Sequence, residues 1–345
     1  MDTEHPVDGM QDVGQRGRES PLDRLDRTRA GFTLLRQATG TSHHVLGDIL
    51  GVKWKTVKDW EKKRDWHYPP PDDAWDALLA IAREEEAAAR RAVAGAVASL
   101  PRGATVDIPC RVVGTRLYDG KRGTPTGQMN AAALLAGGML AGLGYDVRYV
   151  WTTGPGDEAI AGAARPRLDG PGATDRPGWD GGDVRAALPH TATQADYMML
   201  RARTGVDTVE LSDLTGRPYE LVLDWETNPG HRPRPEAWRY LLRARRLQDD
   251  AVARITARAR DTTPAGGTVM LPYCRNEEQL ALLPRDPAAP TASRQRATMR
   301  LVVRALLDDG YRVRLAYPDA DDTHAPAPDG TEDDTMNDIG KKDRS

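Results

Sequence analysis

The sequence predicts an α+β fold that is mainly α: two tandem copies of a helical bundle, each followed by a long helix and a small strand–helix–strand unit. Three observations carry this reading. Residues 35–61, LRQATGTSHHVLGDILGVKWKTVKDWE, match residues 200–226, LRARTGVDTVELSDLTGRPYELVLDWE, at eleven of 27 positions with a constant offset of 165. Further blocks recur in the same order: Ala74-Trp75 and Leu78-Leu79 as Ala237-Trp238 and Leu241-Leu242, Pro109-Cys110-Arg111 as Pro272-Tyr273-Cys274-Arg275, and Gly144-Tyr145 as Gly310-Tyr311. Within each copy, helical spacing of apolar residues gives way to strict alternation, the change of period that separates helix from strand. Ordered repetition of this kind reports a tandem duplication.

Residues 1–28 lack an apolar period and are expected to form a loosely ordered N-terminal arm. Copy one is assigned to 29–151, with a helix-turn-helix over 30–66. Leu34 and Leu35 supply core contacts from its first helix, and Val45, Leu46, Ile49 and Leu50 give the second an apolar face. Gly51 closes that helix, where a residue without Cβ can take the left-handed turn. The third helix is expected from about Lys53 to Lys63, with Val57 and Trp60 turned inward. A long helix over 72–100 follows Pro69-Pro70-Pro71 and opens on Asp72-Asp73, carboxylates that suit a helix N-terminus. Its apolar positions are Trp75, Leu78, Leu79, Ala82, Ala89, Val93 and Val97.

Residues 104–151 read as a strand with Val106, Ile108, Cys110 and Val112 alternating, a helix from Met129 to Leu143, and a strand from Asp146 to Trp151. Such a unit crosses over right-handed to make a parallel pair. Two strands need cover or extension, and the other copy is the candidate. Residues 152–194 hold eight Gly and five Pro, a linker composition. Copy two spans 195–317: a degenerate helix-turn-helix over 197–227, a long helix over 235–261 and strand–helix–strand over 267–317. Residues 318–345 carry nine acids and three bases, a net charge of −6, and are expected to be an acidic disordered tail. A sharper reading makes that tail a nucleic-acid mimic that competes for a basic surface.

The basic surface lies in copy one. Residues 53–64 carry six bases against two acids, whereas the matching residues 218–229, PYELVLDWETNP, carry three acids and no base. Lysines on an exposed helix can neutralise phosphates or reach guanine O6 and N7. The candidate DNA contacts are Lys53, Trp54, Lys55, Thr56, Lys58 and Lys62, with Ser42 and His43 opening the second helix where backbone amides favour phosphate. Trp54 either enters a groove or packs against Trp66-His67-Tyr68. The acidic face of copy two is read either as a protein-binding surface or as a solvent-facing remnant.

Leu35-Arg36, Thr39-Gly40, Leu46-Gly47, Ile49-Leu50-Gly51-Val52, Thr56-Val57 and Trp60-Glu61 together resemble the Cro/CI-type (XRE) helix-turn-helix family. That resemblance implies a third helix whose exposed start enters the major groove. It also implies that Arg36 with Glu61, and Arg201 with Glu226, are structural ion pairs tying the first helix to the third. The order of elements over 32–151 and 197–317 is similar to anti-CRISPR-associated (Aca) repressors of the YdiL-like type, most closely at Trp60-Glu61 and Pro71-Asp72-Asp73. This implies dimeric autorepressors on inverted repeats of double-stranded DNA, with RNA as a further partner for some members. Because the copies are fused here, a homodimer and an intramolecular pseudo-dimer both stay open.

Composition narrows the alternatives. The net charge of −3 advertises no polyanion partner globally, though the chain without its tail sums to +3. Two cysteines, Cys110 and Cys274, cannot form a disulfide framework, and the acidic start MDTEHPVDGMQD reads as no secretory signal. The apolar stretch from Ala131 to Gly144 is too short and glycine-broken for a bilayer. A cytoplasmic protein is expected, without membrane, metal or cofactor. No P-loop, CxxC, HExxH or GxSxG motif is present, so no enzymatic activity is expected. The expected function is sequence-specific transcriptional regulation, as a repressor. The alternative is an interaction scaffold, or an antitoxin-like protein that uses the helix-turn-helix folds for packing.

Overall fold

The computed structural model describes residues 20–62, 69–112, 125–152, 192–228 and 231–319. These are predominantly helical, with two separate two-stranded parallel sheets. The first copy runs α1 (Arg29–Ala38), α2 (His43–Leu50), α3 (Trp54–Trp60), α4 (Asp72–Ser99), β1 (Thr105–Cys110), α5 (Thr126–Gly142) and β2 (Asp146–Trp151). The second repeats the order as α6 (Gln194–Thr204), α7 (Thr208–Thr215), α8 (Tyr219–Thr227), α9 (Pro235–Thr262), β3 (Thr268–Pro272), α11 (Ala292–Asp308) and β4 (Arg312–Ala316). A single turn, α10 (Glu277–Leu280), precedes α11.

Local sequence explains the helix boundaries. Thr28 caps α1 by accepting from Gly31 N, and Ser42 caps α2 by accepting from Val45 N. Thr193 and Asp196 form a capping box at the start of α6. Gly51 and Gly216 end α2 and α7 at φ of 67° and 60°, the left-handed turn read from the sequence.

Each head closes on the same aromatic triad. Phe32 meets Trp60 and Trp75 edge-on, with ring centroids 6.2 and 5.5 Å away. Tyr197 meets Trp225 and Trp238 the same way, at 6.3 and 5.4 Å. Edge-to-face rings at this spacing add attraction beyond the area they bury.

The two copies exchange cover. One core joins Phe32, Leu46, Val57 and Leu78 of the first copy to Val302, Leu306, Val313 and Leu315 of the second. A second core joins Ile108, Cys110 and Leu140 of the first copy to Ala195, Met198 and Met199 on α6. Polar contacts repeat the exchange at matching positions: Thr28 Oγ1 donates to Leu315 O at 2.8 Å, and Thr193 Oγ1 to Tyr149 O at 2.9 Å. The sheets pair Ile108 with Tyr149 and Leu271 with Leu315, and among the described residues neither gains a strand from the other copy.

Several expectations need correction. Residues 20–28 are ordered rather than part of a loose arm. A 3-10 turn over Pro21–Arg24 leads to Leu25, which is buried and bridges to Val313. Its backbone and apolar side chain complete the exposed side of β4. Ile49 and Val97, assigned to inward faces, are about half exposed. The buried stripes instead follow Leu46 with half-buried Leu50, and Ala89, Val93 and Ala96, so each exposed residue sits beside its stripe. Helix α5 begins at Thr126, three residues before the expected Met129. Helix α6 begins at Gln194 with Thr193 as its cap, inside the linker expected over 152–194, because the Thr193–Asp196 capping box starts the helix there. Residues 1–19, 153–191 of that linker, and 320–345 of the tail expected from 318 lie outside the described residues.

Candidate nucleic-acid interface

Helix α3 sits with Val57 and Trp60 buried and Lys53, Lys55, Thr56, Lys58 and Lys62 exposed. It is shorter than the span expected to Lys63. Lys53 is its N-cap and Glu61 its C-cap, because Glu61 turns inward to an ion pair. Lys63, Arg64 and the Trp66-His67-Tyr68 run lie outside the described residues. Lys62 Nζ is 2.5 Å from Asp59 Oδ1 in an exposed pair, an interaction worth little to stability.

Trp54 meets a neighbour on α2, while the Trp66-His67-Tyr68 run lies outside the described residues. Its ring lies 5.0 Å from that of His44, tilted by 31°. The ammonium groups of Lys55 and Lys58 each lie 5.9 Å from the Trp54 centroid, within cation–π range. The indole therefore gathers two cations on the outer face of α3. A cleft of about 360 Å³ opens beside it, lined by His44, Asp48, Val52, Lys53, Trp54 and Lys55. His44 follows His43 at the start of α2. It lies on another helix from Trp54, so no helical period links them.

Behind this face is a buried ion pair. Arg36 Nε donates to Glu61 Oε1 at 2.5 Å and Nη2 donates to Oε2 at 3.0 Å, while Nη1 donates to Thr41 O at 2.9 Å. His43 Nε2 lies 3.0 Å from Glu61 Oε2. His43 is thus drawn inward onto Glu61 rather than presented to a phosphate, and Ser42 Oγ is engaged as the α2 cap. Burial pushes the Glu61 carboxyl up, but hydrogen bonds from His43 and Arg36 and the Arg36 charge outweigh it and hold the group below its ordinary value.

The second copy props the end of α3. Arg275 Nη1 donates to Glu61 O at 3.0 Å, and its guanidinium lies 4.7 Å from the Tyr317 ring centroid. The Tyr317 hydroxyl lies 2.8 Å from Thr33 Oγ1. No feature of residues 53–64 signals this support, which comes from more than 200 positions away.

The equivalent pair in copy two is also made. Arg201 bonds Glu226 through Nε, and Nη2 donates to Oε2 at 2.8 Å. Its outward face differs: Val209, Leu214, Tyr219 and Leu223 are exposed, together with Glu220. Both cysteines are buried, and burial pushes the Cys274 thiol up to about 11 and Cys110 up as well. Among the described residues, no group of three or more His, Cys, Asp or Glu could hold a metal ion, and no helix is long and apolar enough to cross a membrane.

Comparison of the chain with protein-family models, curated proteins and solved structures finds no match.

Proposed function

We propose that the chain is a sequence-specific DNA-binding regulator, a repressor, that reads the major groove with α3 of its first copy. In this reading α1–α3 and α6–α8 are tandem helix-turn-helix heads. The observation that carries it is the exposed face of Lys53, Lys55 and Lys58 around Trp54, on a helix whose other face is fixed by Val57, Trp60 and the Arg36–Glu61 pair. A groove-reading helix needs both properties: cations free to meet phosphates and base edges, and a rigid mount. The reciprocal cores support an intramolecular pseudo-dimer with one basic head and one acidic head.

The test is a fluorescence anisotropy titration with a labelled duplex from upstream of the chain's own coding sequence, beside a scrambled duplex, at two salt concentrations. The triple variant Lys53→Ala, Lys55→Ala, Lys58→Ala runs in parallel. Preferential binding is expected, and the variant should lower the salt slope by about one for each lysine in phosphate contact. No binding at low salt overturns the reading.

One observation favours a second reading for copy two. Val209, Leu214, Tyr219 and Leu223 on α7 and α8 are each exposed, apolar side chains of a kind suited to protein partners. In that case the chain is a scaffold, and neutralising the lysines of α3 leaves its function unchanged.

A further inference from the structure

A cleft of about 380 Å³ lies between the two heads, lined by the α1–α2 and α6–α7 corners and by α11. Four arginines line it: Arg36, Arg201, Arg296 and Arg300. Arg36 and Arg201 are neutralised by Glu61 and Glu226. Arg296 and Arg300 form no ion pair with any described residue. They are held by backbone oxygens instead: Arg296 Nη1 donates to Arg275 O at 2.7 Å, and Arg300 Nη2 donates to Ala202 O at 3.2 Å. Asp207 is the one carboxylate among the lining residues, and its Oδ1 is occupied as the α7 cap, accepting from Glu210 N at 2.7 Å.

Two guanidinium groups four residues apart on one helix repel each other, so the fold gains nothing from the charge itself. The first copy makes this plain. Asn130 and Leu134 of α5 occupy the positions matching Arg296 and Arg300. Asn130 holds the residue after its strand, donating to Arg111 O at 2.9 Å and accepting from Arg111 N at 2.8 Å, with no charge involved. The strand-end contact therefore needs a polar group, not a cation. Burial lowers the Arg300 pKa; Tyr273 opposes that shift, and the neighbouring Arg296 charge adds to it.

We propose that this cleft is an oxyanion site that takes a small phosphate-bearing ligand on Arg296 and Arg300. Planar guanidinium forks match phosphate oxygens, and the volume falls in the range of small-ligand sites. A ligand here touches the corners of both heads, and so sets their relative position. That regulatory consequence rests on the DNA-binding reading; the site itself does not.

The experiment uses the full chain without DNA, in buffer free of phosphate and at constant ionic strength. Calorimetry and thermal unfolding are followed against inorganic phosphate and pyrophosphate, with chloride as control. Saturable binding and a rise in Tm are expected. The variant Arg296→Gln/Arg300→Gln should bind at least about tenfold more weakly, a loss of about 1.4 kcal/mol. A second variant, Arg296→Asn/Arg300→Leu, carries the first copy's own residues and guards against misfolding. The Lys53→Ala, Lys55→Ala, Lys58→Ala protein should keep the full response, which separates this site from the α3 surface. The proposal is overturned by the absence of saturable binding, or by equal binding to the arginine variants. If free anions have no effect but the arginine variants lose duplex affinity, the arginines serve nucleic-acid phosphates and the small-ligand site is wrong.

Discussion

The first and second heads share a mount and differ in what they present. Phe32, Trp60 and Trp75 recur as Tyr197, Trp225 and Trp238 with nearly the same ring geometry, and Arg36–Glu61 recurs as Arg201–Glu226. The outward positions have exchanged chemistry: Lys55 corresponds to Glu220, and Lys58 to Leu223. Core positions are constrained because close-packed interiors tolerate little change in volume, and a buried charge must keep its partner. Surface positions on a helix carry no such constraint, so one scaffold can hold opposite electrostatic faces.

The largest effects should come from breaking the shared mount. Glu61→Ala and Glu226→Ala each leave a largely buried arginine unpaired, at a cost of about 3–5 kcal/mol. Both variants should melt earlier in thermal unfolding. Only Glu61→Ala should also weaken duplex binding below its melting temperature, since Glu61 ends the basic helix. An unchanged melting temperature in either variant would sink the structural role of its pair.

A second break concerns the long helices. Glu85 of α4 is buried, its Oε1 has no hydrogen-bond partner among the described residues, and burial with the nearby Glu84 charge raises its pKa to about 9. The matching position in α9 is Gln248, a neutral group that donates to Arg203 O at 3.1 Å. A raised carboxyl favours the folded state while protonated. Its contribution is therefore complete below the ordinary value near 4.5 and is lost as pH rises toward 9. Glu85→Gln should stabilise the protein by roughly 2–4 kcal/mol at pH 7 and leave it unchanged at pH 4. Denaturant titrations at the two pH values check this. Equal stabilities at pH 7 would mean that Glu85 reaches solvent.

The smallest effect sharpens the triad comparison. Tyr197 carries a buried hydroxyl without a hydrogen-bond partner among the described residues, where the first head has Phe32. Tyr197→Phe should be neutral or stabilising by up to ~1 kcal/mol, because it removes an unsatisfied polar group at constant shape. A loss above that range, measured in denaturant, would reveal a hydrogen bond to that hydroxyl.

The first head, α1 to α3, was legible because its signals are local. Gly51 needs a left-handed turn, Ser42 caps a helix, and Val57 with Trp60 sets an inward face; all are written within a few residues. His43 and Trp54 were less legible. Their partners, Glu61 and His44, lie on other helices, and a side chain's aim across an interface has no sequence period. The same holds for Leu25, whose burial depends on β4.

By itself the sequence determined the duplication, the order of helices and strands, the contrast between residues 53–64 and 218–229, and the pairing of Arg36 with Glu61 through the family it resembles. Tertiary structure alone decided which unit covers which head, and that α1 docks on β4 while α6 docks on β2. It also decided that Arg296 and Arg300 share a cleft with Arg36 and Arg201. The physical reason is that an apolar period reports that a face is buried, not what buries it. Two copies with matching faces satisfy that period equally well within a copy or between copies, and only the packed chain selects between them.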